Sequence, residues 1–182
     1  MRNTCLALFL ITSISVFGQE LPINEKTGKV SYENIIKAEG VSASDLYMQA
    51  GAWFAKTFNS ENYAGIEIAD KEAGKIIAKG VIAVRIANVY MSYAAGGFDF
   101  TITFTAKEGR CRYVITDIKH DGKEDTMHSG GIIENEKPEC GSMNMSKKKW
   151  NNLKTQVHDN LTSLSKDFEQ HMSNASSEDD DW

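Results

Sequence analysis

The clearest pattern in the chain runs from Phe98 to Lys107. Phe98, Phe100, Ile102 and Phe104 alternate with Asp99, Thr101, Thr103 and Thr105. A period of two puts the four apolar side chains on one face of a strand and the polar ones on the other. Upstream, "AGIEIAD" sets Ile66 and Ile68 against Glu67 and Asp70. "KIIAKGVIAVRIA" places Ile76, Ala78, Gly80, Ile82 and Val84 on one face. Gly80 predicts a bulge or bend there. Lys71 to Gly74 is short enough to close a hairpin between these two strands. "YMSYAAGG", residues 90–97, reads as part strand and part loop. Glu108-Gly109 turns the chain into a further strand, Arg110 to Ile118. Before all of these, Lys29 to Ala38 mixes β-branched and aromatic residues and reads as the first strand.

Two segments carry the helical period instead. Ser42 is a good N-cap, and Asp45 three residues on completes a capping-box arrangement. Leu46, Ala50, Trp53, Phe54, Thr57 and Phe58 then recur at helical spacing, and Asn59 and Ser60 end the run. Near the C-terminus, Trp150, Leu153, Val157, Leu161, Leu164 and Phe168 make one apolar stripe on a long helix whose other positions are Lys, Asn, Asp, Gln and Ser. The stripe covers fewer than three heptads, so a core-facing helix is expected rather than a coiled coil. Residues 120–144, rich in Gly, Lys, Asp and Glu, read as a long surface loop.

The element order is therefore β-α-β-β-β-β-α. Short turns between strands give an antiparallel sheet of about five strands with one apolar face, and only the two helices are available to cover it. The expected fold is α+β, a sheet gripped by two helices.

The N-terminus changes where this domain is expected to work. Arg2 precedes "CLALFLITSISVF", Cys5 to Phe17, which is almost wholly apolar and too short for a stable membrane span. It reads as a secretory signal peptide cleaved between Gly18 and Gln19. The expected division is residues 1–18 as signal peptide, 19–172 as a single domain and 173–182 as a disordered acidic tail. Cys5 stands at the start of the apolar stretch rather than after it, which argues against a lipid anchor. The mature chain is expected to be soluble and exported, periplasmic or extracellular, with no membrane insertion after signal cleavage. The formal net charge of −5 becomes −6 without Arg2, and four of those negatives are Glu178, Asp179, Asp180 and Asp181. A weakly acidic body argues against nucleic acid as a partner.

Three stretches resemble one family. "EGVSASDLYMQAGAW", Glu39 to Trp53, is similar to the Leu-Tyr…Trp helix motif of a domain-of-unknown-function family from secreted Bacteroidetes proteins. "ADKEAGKIIAKG" is similar to its hairpin. "TFTAKEGRCRY", Thr103 to Tyr113, is similar to its Lys-acid-Gly-Arg-x-Arg turn. The resemblance covers roughly Leu21 to Ile118 and, more loosely, the last helix. It implies a TATA-binding-protein-like (TBP-like) fold and an envelope location, and it implies no activity. In that family the residue between the two arginines is commonly aromatic, and here it is Cys111.

Candidate chemistry is sparse. Cys111, His120, Asp121, His128 and Cys140 contain zinc-ligand types, but their spacings lack the short pairs that let one local structure present two ligands. No metal or other cofactor is expected, and His120 and His128 read as hydrated loop residues. Ser129 beside His128 lacks a nucleophile elbow, and "YAAGG" is no phosphate loop. No catalytic residue is assigned. Cys111 and Cys140 are a disulfide candidate in an oxidising compartment, or else two buried thiols. Thr126 in "DTM" fits the acid-hydroxyl-apolar pattern of Bacteroidetes O-glycosylation. Lys147, Lys148 and Lys149 are the only basic run, either an anionic-surface contact or a solvated helix end. A gap between sheet and helix would hold a small apolar ligand near Tyr90, Met91, Tyr93, Phe100 and Trp150. Two readings follow. The first is a non-enzymatic envelope protein binding a protein partner, a glycan or a small apolar ligand. The alternative is a hydrolytic or metal-assisted enzyme using the His120–Cys140 loop.

Overall fold

The computed structural model describes residues 20–58, 65–87, 89–122 and 128–174. The expected signal peptide, Thr126 and residues 175–182 lie outside them. The elements are β1 (Tyr32–Lys37), α1 (Ala43–Thr57), β2 (Gly65–Asp70), β3 (Lys75–Ala87), β4 (Ser92–Lys107), β5 (Arg110–Asp121), β6 (Gly131–Ile132) and α2 (Lys147–Asn174). The sheet is antiparallel in the order β1-β5-β4-β3-β2, and β6 pairs with β5. It has six strands rather than about five, because the two residues of β6 are too few to show any period. The 120–144 stretch is accordingly not a simple wet loop: it carries β6 and the fully buried Ile133. "YMSYAAGG" resolves as strand from Ser92 onward. α2 runs to Asn174, two residues into the expected tail.

Two bulges decide which side chains face the helices, and neither is at Gly80, which opposes Phe100 in unbroken register. Between β3 and β4, Ala83 opposes Gly97 and Arg85 opposes Ala94, so Ala95 and Gly96 together stand against Val84. Gly96 has φ 81°, and a Cβ there would lie 2.3 Å from the Asp121 main-chain oxygen. Only glycine fits both demands. Between β4 and β5, Thr101 opposes Thr116 but Asp99 opposes Lys119, so Asp117 and Ile118 stand against Phe100 alone. Asp117 takes φ 56°, and Lys29 Nζ donates to its carboxylate at 2.6 Å. This extra residue shifts the phase of β5. Cys111, Tyr113 and Ile115 face the core before it, and Ile118 and His120 face the core after it.

β2 departs from its expected role. Glu67 is an extra residue there: Ile66 opposes Ala78, but Ile68 opposes Ile77. Directly opposed residues share a face, so the two isoleucines point to opposite sides of the sheet. Both are about half exposed, at 44% and 49%. β2 is an edge strand, and the Glu67–Lys79 ion pair at 2.8 Å marks its bulge.

The helices close on the sheet as the periodicity predicts. Ser42 Oγ accepts from the Asp45 N–H at 3.1 Å, and Leu46, Ala50, Trp53 and Phe54 are the buried face of α1. α2 buries Trp150, Leu153, Val157, Leu161, Ser165, Phe168 and Met172. Leu164 is only half-buried, because a 3.6-residue turn carries the stripe from Leu161 to between 164 and 165, and Ser165 takes the inner place. Trp150 stacks on Phe98 at 5.5 Å, and Phe168 meets Trp53 edge-on at 4.8 Å. Beyond Lys79 no described strand pairs with the outer edge of β3. There the Gln156 side chain of α2 accepts from the Arg85 N–H (3.1 Å) and donates to the Arg85 carbonyl (2.8 Å), standing in for one.

Candidate functional site

The residues singled out from the sequence do not meet in one place. Cys111 pairs with Ile36 and Ala106 at the start of β5. Cys140 follows Glu139, whose N–H donates to the Gly130 carbonyl beside the far end of that strand. Nine residues of extended chain separate Cys111 from His120, roughly 30 Å at the usual strand rise. A disulfide needs Cα atoms within about 7 Å. Both cysteines are free thiols, which corrects the disulfide expectation. Burial pushes the Cys111 thiol up to about 11.

His120 is not a hydrated loop residue either. It ends β5 on the core side and is wholly buried. Its Nδ1 accepts from the Gly130 N–H at 2.9 Å, and its Nε2 lies 2.7 Å from the Ala95 carbonyl. Accepting at Nδ1 puts the proton on Nε2, so Nε2–H donates to Ala95. Both ring nitrogens are engaged, and neither is presented to a metal. Phe98 and Trp150 flank the ring at 4.9 and 5.9 Å. Trp150 also fixes Gly130, since a Cβ there would come 2.4 Å from the indole. Ser129 Oγ donates to the His120 carbonyl and accepts from the Gly131 N–H, so it holds the turn into β6. His128 and Asp121 are exposed.

The expected ligand residues also separate. Phe100 and Trp150 are buried in the packed interior, whereas Tyr90 is 94% and Tyr93 38% exposed. Phe100 and Trp150 belong to one buried hydrophobic cluster with Phe98, Phe104, Phe168 and Trp53, which packs the sheet–helix interior.

A different concavity lies on the flank of α2. Residues 20–31 form a small arm closed by the Ile23–Val30 bridge and by the Ser31 N–H donating to the Pro22 carbonyl at 2.8 Å. Glu134 ties the arm down by accepting from the Val30 N–H at 2.7 Å. Between arm and helix runs a groove of about 820 Å³. Leu21, Ile23 and Val30 form its apolar wall, Lys154 and His158 come from the helix, and Glu20, Glu25 and Glu134 add acid. The His158 ring nitrogen Nδ1 and the Tyr32 hydroxyl are 2.9 Å apart. Burial lifts the Tyr32 phenol well above its ordinary value, and nearby Asp159 adds to the shift.

Lys154 is the distinctive group. It is half-buried, donates to the Asn135 carbonyl at 3.1 Å and lies 5.7 Å from the centre of the Trp150 ring. Burial lowers its pKa, Lys147 lowers it further, and Glu136 and Glu134 oppose the shift. It belongs to none of the ion pairs seen among the described residues. Sequence reasoning missed this site because its residues come from three distant segments with no shared motif. The one local signal was Lys154 standing a helical turn after Trp150.

A sheet covered on one face by two helices, with a groove beside the longer helix, defines an α+β domain of the TBP-like class. Residues 32–121, just under half of the chain, match the family described as a domain of unknown function (DUF4468) with TBP-like fold, and this stretch belongs to that family. The crystal structure of a DUF4468 family protein from Bacteroides ovatus superposes with a TM-score of 0.59 at 17% identity, over 92% of this chain and 95% of that one. That of a TBP-like protein from Parabacteroides distasonis gives 0.57 at 17%, over 81% and 96%. At such identity the likeness establishes the fold alone. No curated protein matches the sequence. The family match spans β1 to β5, so the arm, Glu134 and α2, which line most of the groove, lie beyond it.

Proposed function

We propose that this is an exported, non-enzymatic binding protein whose groove beside α2 takes a peptide segment of a partner. Lys154 carries the reading. A half-buried ammonium held by a carbonyl and an indole, with no carboxylate at ion-pair distance among the described residues, is poised for an anionic group. Glu20, Glu25 and Glu134 suit the cationic groups of the same ligand, and Leu21, Ile23 and Val30 suit a short apolar side chain. A segment bearing both charges matches this lining better than an apolar molecule does. The filled interior supports the groove over the sheet–helix gap. Arg2 and the apolar run Cys5–Phe17 support export. No described helix is long and apolar enough to cross a membrane. The enzyme reading finds little support, because the described groups of the His120–Cys140 stretch hold the fold rather than converge.

The test is native mass spectrometry after incubation with a pool of pentapeptides, followed by titration of the peptides retained. Lys154→Ala should weaken their binding about tenfold, the loss of one charge-assisted hydrogen bond. Retention of no peptide, or equal affinity of the variant, would overturn the proposal.

A further inference from the structure

The β3–β4 hairpin ends in an apolar tip. Val89 is 92%, Tyr90 94% and Met91 61% exposed. Three consecutive large apolar side chains in water are an error in a surface turn unless they are used. The tip also projects. β2 pairs with β3 only as far as Lys79, and β5 pairs with β4 only from Gly97 onward. Among the described residues, the hairpin from Ala83 to Ser92 is therefore a two-stranded finger, with the Gln156 side chain lying along its β3 edge.

The start of α2 stands beside this finger, since Lys149 Nζ reaches the Tyr93 hydroxyl at 3.5 Å. Lys147, Lys148 and Lys149 fill the first turn of that helix, which contains no acid. Cations are unfavourable at a helix N-terminus, where the backbone dipole is positive. All three are exposed, and only Lys147 has a carboxylate partner among the described residues, Glu136 at 3.2 Å. Arg85 adds a further cation on the finger itself, bonded to Ser92. The molecule thus carries apolar groups at a projecting tip and a collar of positive charge behind them, although the chain as a whole is acidic.

We propose that this tip docks on the surface of an anionic lipid bilayer, with Val89, Tyr90 and Met91 entering the headgroup region and Lys148, Lys149 and Arg85 meeting lipid phosphates. Aromatic and aliphatic side chains favour that boundary, and each basic residue near an anionic leaflet adds to the attraction. A protein pocket would suit the apolar tip but would not call for the lysine collar. The contact is peripheral and requires no spanning segment. It refines the expectation of no membrane insertion into a surface attachment.

Tyr90→Trp in the full chain carrying Trp182→Phe gives a local reporter, because the two remaining native tryptophans, Trp53 and Trp150, are buried. Its added fluorescence should be quenched by phosphatidylglycerol vesicles with brominated acyl chains, and much less by phosphatidylcholine vesicles of the same kind. Because the readout is confined to residue 90, binding through the apolar N-terminus does not imitate it. Adding Lys148→Glu and Lys149→Glu, both acceptable at a helix start, should reduce the partitioning about tenfold or more. An unquenched indole in anionic vesicles would overturn the proposal in favour of a protein partner. Equal quenching in both lipids, or no effect of the charge reversals, would overturn it as well.

Discussion

At the scale of the residue, His120 shows how a polar side chain becomes structural. The ring joins three pieces of backbone: its own strand, Ala95 in the β4 bulge and Gly130 before β6. His120→Ala would leave a buried N–H and a buried carbonyl without partners, and would open a space beside Phe98 and Trp150. The expected cost is about 2–4 kcal/mol, measured by urea denaturation. A loss below about 0.5 kcal/mol would mean that water replaces the ring without penalty. The sequence named His120 but mistook its role. Counting strictly by twos along "RCRYVITDIKH" sends position 120 to the outer face with Arg110 and Arg112. Only the residue inserted at Asp117 turns it inward.

At the scale of the element, periodicity reads the long helix and the straight parts of strands well, and it fails at bulges. Gly80 looked like the bend, yet it serves as a small neighbour opposite Phe100, while Gly96 makes the bend. Nothing in "YAAGG" separates its two glycines, because the difference lies in Asp121, whose carbonyl closes on Gly96. Gly96→Ala meets both an unfavourable φ and a main-chain clash, and should cost about 2–4 kcal/mol. It should also weaken the Ala95–His120 hydrogen bond, so combined with His120→Ala the two losses should fall short of additive by more than about 0.5 kcal/mol. Strict additivity would separate the bulge from the histidine. The edge strand β2 was legible as a strand but not in its facing, because Glu67 is extra only relative to β3.

At the scale of the whole molecule, the sheet keeps the two described thiols far apart, and that is directly measurable. Native alkylation followed by mass spectrometry should modify Cys140, which is half-buried, well before Cys111, whose thiol burial holds protonated at neutral pH. Quantitative linkage of Cys111 to Cys140 within one chain would contradict the strand arrangement itself. The sequence by itself determined the element types, the apolar sheet face, the two helices that cover it and the family, because a period of two and a period near 3.6 are properties of local backbone geometry. Tertiary structure alone decided the rest: six strands rather than about five, the inward turn of His120, the separation of buried Phe100 and Trp150 from exposed Tyr90 and Tyr93, and a groove built from the arm, Glu134 and Lys154. Each of these depends on which distant residues stand opposite one another, and a pattern confined to a single segment carries no information about its neighbour across the sheet.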